Sequence, residues 1–540
     1  RQVFWRWLKR LGQRREWSRL LQYYEPTTSA ELRCYQLRAL YGTGKKAEAF
    51  AEVGELWVVG KSQPKSCDPL FDVWIANDQL TFDMAWRRLQ LALENNQRQL
   101  ARYLLRFFDG SQHNPWAQSL YNVHANPDAI TRTSRYATDT PNSRRVIRHG
   151  LLRLAARDPE ATSGAWSKYQ NSHEFSAAER AEIDQAIMVA RAKEGVFPAE
   201  RTLDPPSDVA EAMAKAALTH RNWSEAQHWI EQLPSDLLGS NRWQYWLARA
   251  ISASFLSSQR ASLTYRALAE ERDYYGFLAA ERLGIEPRLN ASDQTFSLTE
   301  IQQLYEIPAV ARATELYAVG DKINARREWN RLIPTLSADQ LARAAHLTLQ
   351  MGWTNQAIRI ANAGKLRDHL ELRFPRVYTS DFQRVSHATT VPRSFLIAVA
   401  RQESAFDPAA RSSANARGLM QLLHSTATAT ARRANLALPS TVDLYAPQRN
   451  IEIAGHHLAE LLVRFDAARP LAAAAYNAGP HRVDRWTKGV SGMPMDIWIE
   501  TIPFRETRNY VKNVLAFSQV YGQILGEPTP MLFAHEATVP

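Results

Sequence analysis

The sequence predicts an all-α protein: an irregular α-superhelix of helical hairpins, a smaller helical linker domain, and a chemically distinct C-terminal domain. Three observations predict it. From residue 1 to about residue 375, apolar residues recur at the helical period in segments of about 10–15 residues. Strand signals, meaning strict alternation and Asn-Gly turns, are missing from that stretch. After about residue 375, Gly, Asn, Pro and Ser cluster between helices, and polar residues enter apolar contexts.

Taken in order, "RWLKRLGQRREW" near the start alternates basic with apolar residues at helical spacing. It reads as an amphipathic helix, not a nucleic-acid arm. Helical segments follow at "KKAEAFAEVGELWVVG", "NWSEAQHWIEQLP", "RWQYWLARAISASFL", "INARREWNRLIP" and "TNQAIRIANAG". "GTGKKAEAFAEVGELW" and "GDKINARREWNRL" share a Gly, a basic residue, an Ala and a Trp in similar order. That is weak self-similarity of the helical-hairpin solenoid kind, without a strict period. Pro-containing breaks at "GIEPRLNASDQTFS" (284–297) and "RFPRVYTSD" (373–381) predict domains at 1–292, 293–375 and 376–540.

The bulk numbers bound the function. At 540 residues the chain exceeds one hydrophobic core. No run of about 18 apolar residues predicts a membrane span. The net charge of +11 suits either an anionic partner or a generally basic surface. The basic residues are scattered, and no nucleic-acid partner is expected. The chain begins at Arg1, so a processed or trimmed chain with its signal peptide removed is expected. Cys34 and Cys67 fit one disulfide or two free thiols equally, and their scarcity argues against a zinc ribbon or a CxxC redox site. "GELWVVGKS" (54–62) has five residues between Gly54 and Gly60 where a P-loop needs four. "HHLAE" (456–460) lacks metalloprotease spacing, so His457 and Glu460 read as an ordinary helix pair. No GxSxG occurs. No cofactor and no metal are expected.

Chemistry concentrates in three C-terminal stretches. In "LIAVARQESAF" (396–406), Leu396, Val399, Ala400 and Glu403 share one helix face, so a carboxylate continues an apolar stripe. Pro392 marks the helix start, which places Glu403 near the end of a helix of about twelve residues. A carboxyl held away from water keeps its proton near neutral pH, as a general acid must. The plainer alternative is a buried Glu paired with an arginine such as Arg417. In "SSANARGLMQLLHSTAT" (412–428), Gly418 permits φ > 0 or close backbone approach, and Gln421 offers an amide to a polar ligand. Ser425 or Thr426 is expected to cap the next helix. "AAAAYNAGP" (472–480) reads as an Ala-rich helix ending at Tyr476 and Asn477, stopped by Gly479 and Pro480. The Tyr476 ring can stack on a sugar.

The order E-S-A-F, G-L-M-Q, A-Y-N-A-G, with "ETIPFRETRNYVKNVLA" (500–516) behind it, resembles the soluble lytic transglycosylases of the bacterial cell wall. "GELWVVGKSQPKSCDPLFDVW" (54–74) resembles the superhelix of their large members, including its cysteine. The resemblance implies a ring-shaped α-superhelix, a helical linker domain and a lysozyme-like catalytic domain. It also implies that the start of this chain lacks the first helices of the longest members. Further implications are a location in the periplasm of a Gram-negative bacterium, a Cys34–Cys67 disulfide and a monomer acting on peptidoglycan strands and muropeptides. Peripheral association with the cell wall or outer membrane stays open.

The implied reaction is non-hydrolytic cleavage of the MurNAc-β-1,4-GlcNAc bond, leaving 1,6-anhydromuramic ends. By motif position Glu403 is the catalytic acid. Ser412, Gly418, Gln421, Leu423, Tyr476, Asn477 and Glu506 line the substrate site, with Ser412 close to the glutamate and Tyr476 steadying the reacting groups. Two departures stand out: Leu423 takes a place where Met is common, and His481 one where Gly is common. A hydrolytic muramidase with Glu506 or Asp484 as second carboxylate, or a scaffold with a vestigial site, are the competing expectations.

Overall fold

The helical periodicity is realised throughout the described residues. A computed structural model describes residues 2–200, 204–253, 258–292 and 294–540. Ser254, Phe255 and Leu256, the end of one expected helical segment, and Asp293, where the second expected domain begins, lie outside the described residues. Among the described residues there are helices and no strand. The extended pairings are the isolated bridges Arg411–Arg417, Arg417–Leu422 and Pro494–Thr538.

Two compact units divide the chain, Arg1–Ala199 and Glu200–Pro540. In the first, short helices from Gln2–Gln13 to Ala177–Lys193 follow one another as hairpins. One core runs from Leu37 and Trp57 through Leu89 and Leu120 to Trp166 and Ile183. A smaller one joins Leu8, Leu11, Leu20 and Tyr35. Cys34 on helix Ala30–Gly42 and Cys67 at the end of the Lys65–Cys67 turn are bonded to each other across 33 residues of sequence. The free-thiol alternative therefore falls. Closing a loop of that length stabilises by about 3–4 kcal/mol in the chain-entropy treatment. The P-loop-like stretch forms helix Val53–Trp57 and a turn. Gly60 is needed there for packing, because a Cβ would sit 2.5 Å from the Leu91 carbonyl oxygen.

The second unit begins with helices Ser207–Thr219, Trp223–Glu231, Asn241–Ala253, Ser258–Ala269 and Tyr274–Leu283. Residues 301–372 then enclose a core of their own, built on Val310, Trp329, Leu341, Trp353 and Ile360. Helices here begin where side chains satisfy the first orphan N–H groups. Ser297 with Glu300 and Ser337 with Gln340 form capping boxes. The expected boundaries at 292 and 375 both fall inside this unit.

Helices Thr379–Thr389 through Arg505–Ile524 complete it. Helix Arg393–Ser404 lies at their centre, with Phe395, Leu396, Ile397, Ala398, Val399 and Ala400 all buried. Removing each large apolar side chain from water contributes about 1.5–3 kcal/mol. Helix Met495–Thr501 is tied to the unit's first helices by two buried acids. Glu500 accepts from Arg242 Nε at 2.8 Å, Tyr275 OH at 2.8 Å and Lys512 Nζ at 2.7 Å. Asp496 accepts from Tyr245 OH at 2.8 Å and pairs with Arg249 and Arg282.

Candidate active site

Glu403 sits in the last turn of helix Arg393–Ser404, as the sequence spacing predicts. The next two residues, Ala405 and Phe406, take left-handed backbone conformations, φ 51° and 63°. Neither is glycine, so each costs about 1 kcal/mol or more and ends the helix abruptly. Arg401 anchors the same turn, donating from Nε to the Arg373 carbonyl at 2.8 Å between the rings of Phe374 and Phe517.

The side chain of Glu403 is half-buried as a whole, yet enough protein surrounds its carboxyl that burial dominates its proton affinity. Burial pushes it up to about 7; a hydrogen bond from Tyr510 pulls it back, and the nearby negative charge of Glu506 raises it further. Tyr510 OH donates to Glu403 Oε1 at 2.7 Å. The alternative of a Glu403–Arg417 ion pair is overturned. The Arg417 guanidinium instead donates to the Asn415 carbonyl, and its backbone exchanges two hydrogen bonds with Leu422.

The 410–422 loop forms one wall. Gly418 takes φ +78°, and a Cβ there would lie 2.0 Å from the Leu444 carbonyl oxygen. Asn450, fully buried, pins the loop: its Oδ1 accepts from Met420 N at 2.7 Å, and its Nδ2 donates to the Arg417 and Leu444 carbonyls. Gln421 is left-handed at φ 48°, and its Nε2 donates to the Gly418 and Ala410 carbonyls. Ser412 accepts from Ala416 N at 3.0 Å, which closes its own turn. Ser404, not Ser412, joins the loop to the glutamate's helix, donating to the Leu419 carbonyl at 2.7 Å. Leu423 is 41% exposed, so an apolar surface remains where a methionine is common. It also occupies the N-cap of helix His424–Arg433, so the expected Ser425 or Thr426 cap is not formed.

The opposite wall is helix Arg469–Ala478, ended by Gly479 at φ 91° with Pro480 opening the next helix. Ala472–475 are fully buried, and their small side chains permit close helix approach. Tyr476 OH donates to the Met420 carbonyl at 2.6 Å, bridging the two walls. Burial and the Glu403 charge push the Tyr476 and Tyr510 hydroxyls well above the ordinary range, so both stay protonated donors. Asn477 Oδ1 accepts from Thr507 Oγ1 at 2.7 Å on helix Arg505–Ile524, which also carries Glu506 and Tyr510. Glu506 is exposed.

Other acids are committed elsewhere. Asp407 accepts from Asn355 Nδ2 at 2.8 Å and Arg326 at 3.2 Å. Asp484 pairs with Arg464 at 2.7 Å and lies 3.7 Å from exposed His481. His457 and Glu460 form the expected helix pair, with Arg433 2.6 Å from Glu460. A group with metal-ligand character occurs away from the site, at His346, His369 and Glu371.

Tyr510 and Asn450 were missed by sequence reasoning. Tyr510 lies inside the quoted "ETRNYVKNVLA" stretch, four residues after Glu506, so the signal was present: the two share a helix face. Asn450 gave no local signal.

Residues 381–499 match the Transglycosylase SLT domain family, 303–370 the Soluble lytic murein transglycosylase L domain, and 501–530 the Soluble lytic transglycosylase helical domain. The soluble lytic murein transglycosylase of Escherichia coli K12 is 28% identical over 98% of this chain and 83% of its own length. The lytic transglycosylase Slt of Pseudomonas aeruginosa, solved as an inactive glutamate-to-glutamine mutant, is 35% identical. It superposes with a TM-score of 0.85 over 99% of this chain and 88% of that one. The 70-kDa Escherichia coli enzyme Slt70 superposes at 0.82 with 28% identity, over 99% and 88%.

Proposed function

This chain belongs to the soluble lytic murein transglycosylase family, and on that premise we propose the residue chemistry by which it acts on peptidoglycan. Glu403 is the single acid and then the single base. Raised to about 7, it keeps a large protonated fraction at neutral pH, and in that form it gives its proton to the glycosidic oxygen between MurNAc and GlcNAc as that bond breaks. The substrate's acetamido oxygen closes on the anomeric carbon. The Glu403 carboxylate, held by Tyr510, then removes the proton from the C6 hydroxyl. That oxygen attacks C1 and displaces the acetamido oxygen, giving a 1,6-anhydromuramic end with the acetamido group restored and returning the acid to its starting state. No water is consumed.

The carrying observation is a carboxyl raised to about 7 by burial, with a tyrosine as its hydrogen-bond donor and no cation paired to it among the described residues. The usual glycosidase needs a second carboxylate as nucleophile or water-activating base. The engagement of Asp407 by Asn355 and Arg326 speaks against it in that role. The inactive glutamate mutant of the Pseudomonas relative supports dependence on one glutamate in that protein.

In the groove, Tyr510 and Tyr476 steady Glu403 and the reacting acetamido group. Gln421 offers its Oε1 to a sugar N–H or hydroxyl, and Leu423 supplies an apolar wall. Gly418, Ser412 and Asn477 shape the groove by the backbone and side-chain bonds described above. The division into domains at 292 and 375 is supported by the separate 301–372 core and the L-domain match at 303–370. A periplasmic location is supported by the Cys34–Cys67 disulfide, which persists in oxidising compartments.

The nearness of Glu506 favours one competing reading, hydrolysis with Glu506 placing water. Mass spectrometry of digested sacculi separates the two. Anhydro-muropeptides without reducing ends, still formed by Glu506→Gln, support the lyase. Reducing muramic ends that vanish in Glu506→Gln support the hydrolase.

A further inference from the structure

Away from the groove, the 301–372 region brings together three side chains with the composition of a transition-metal site. His346 projects from helix Ala338–Gln350, His369 caps the short helix Leu370–Arg373, and Glu371 lies in that helix's first turn. One ligand atom from each lies within 4.8 Å of the others. His346 Nε2 is 3.3 Å and His369 Nδ1 3.9 Å from Glu371 Oε1. We propose that these three groups bind one divalent ion of the zinc class, with the fourth position left to water.

Geometry comes first. Metal–nitrogen and metal–oxygen bonds of about 2.0–2.1 Å set tetrahedral ligand–ligand separations of roughly 3.3–3.4 Å. Of the three separations, His346–Glu371 already matches at 3.3 Å, His369–Glu371 at 3.9 Å needs to shorten by about half an ångström, and the two imidazole nitrogens lie within 4.8 Å and close by side-chain rotation. Next is the state of the nitrogens. His369 is only 7% exposed, and both His369 Nδ1 and His346 Nε2 are buried without a hydrogen bond in good geometry. A buried polar atom left so calls for an explanation. A metal ion supplies one for both at once. The donor set, two imidazoles and one carboxylate, is that of an open zinc site.

The surroundings agree. The Phe296 ring packs edge-on against the His346 imidazole at 5.2 Å and limits its rotation. Arg343, one turn earlier on the same helix, pairs with Asp339 at 2.6 Å, which draws its charge away. Glu371 is exposed, giving an ion an entry path. The ion would cross-link helix Ala338–Gln350 to the turn leading to Arg373, whose carbonyl receives Arg401 of the Glu403 helix. It touches no reacting atom, so its effect is on stability.

The test uses the untagged full chain, stripped by a chelator and titrated with Zn²⁺ against a chromophoric competitor, then with Co²⁺. The expected result is one ion per chain at micromolar Kd or tighter, a Co²⁺ visible spectrum of tetrahedral intensity, and a raised Tm. Glu371→Gln, at an exposed position that leaves the fold intact, should weaken binding about 10-fold or more, and His369→Ala further. No stoichiometric binding, or binding unchanged in Glu371→Gln and His346→Ala, would overturn the proposal and leave an ordinary His–Glu ion pair.

Discussion

Glu403 and Glu500 lie in the same C-terminal region, both against protein rather than water, and they are driven to opposite states. Burial is the largest influence on each, and it raises the proton affinity of each. For Glu500 the Lys512 and Arg242 charges outweigh burial and hold it down at about 2. For Glu403 the donor is the neutral Tyr510 hydroxyl, Glu506 adds like charge, and it stays at about 7. Enclosure alone does not make an acid catalyst. What distinguishes the two is whether cations are built in beside the carboxyl. A carboxylate locked by two cations ties helices together; a carboxyl with tyrosines around it can lose and regain a proton.

The largest expected effect comes from removing the proton-carrying group. Glu403→Gln should lower turnover of sacculi about 1,000-fold or more, since one residue serves as both acid and base. Its circular dichroism and Tm should stay near those of the parent. The same change at Glu500 should do the reverse. Glu500→Gln leaves Lys512 and Arg242 buried without their partner, and chemical denaturation should show a loss of about 3–5 kcal/mol. Activity per folded molecule should persist at low temperature. If Glu500→Gln instead left stability unchanged and abolished turnover, Glu500 would be a working acid and not a structural one.

Opposite pH slopes follow. The Glu403 proton affinity is higher folded than unfolded, so its contribution to stability is full below about pH 4.5. It is lost by roughly 3 kcal/mol as pH rises to about 7. For Glu500 the folded value lies below the unfolded one, so its contribution is full above about pH 4.5. It is lost by roughly 3 kcal/mol as pH falls towards 2. Denaturation curves across pH should show the alkaline loss disappear in Glu403→Gln and the acid loss disappear in Glu500→Gln.

A smaller effect is expected from Tyr510→Phe. Its hydroxyl favours the ionised form of Glu403, so removing it should lower kcat about 10-fold and move the alkaline limb of the pH–rate profile upward. A downward move would mean that Tyr510 serves the protonated acid instead.

Glu403 was legible because its oddity is local: a carboxylate on an apolar helix stripe, with Pro392 setting the helix start. The Gly479-Pro480 stop was legible for the same reason. Tyr510 was harder, since an aromatic in an apolar run reads as core, and its partner lies 107 residues away. The Glu500 cluster was not legible at all. Its Arg242 and Tyr275 partners are 258 and 225 residues distant, and nothing in one sequence pairs them. The helix after Leu423 shows the limit of capping rules. Two good capping residues follow one another there, yet the helix starts before both, because the 410–422 loop fixes where the chain enters it.

Glu403 holds its proton up to about neutral pH with no cation paired to it among the described residues. The direct measurement is an infrared titration of its carboxyl band, taken as the difference between the parent protein and Glu403→Gln. A protonated C=O band that disappears with a midpoint near 7 is expected. A midpoint at or below the ordinary carboxylate range of about 4.5 would contradict it.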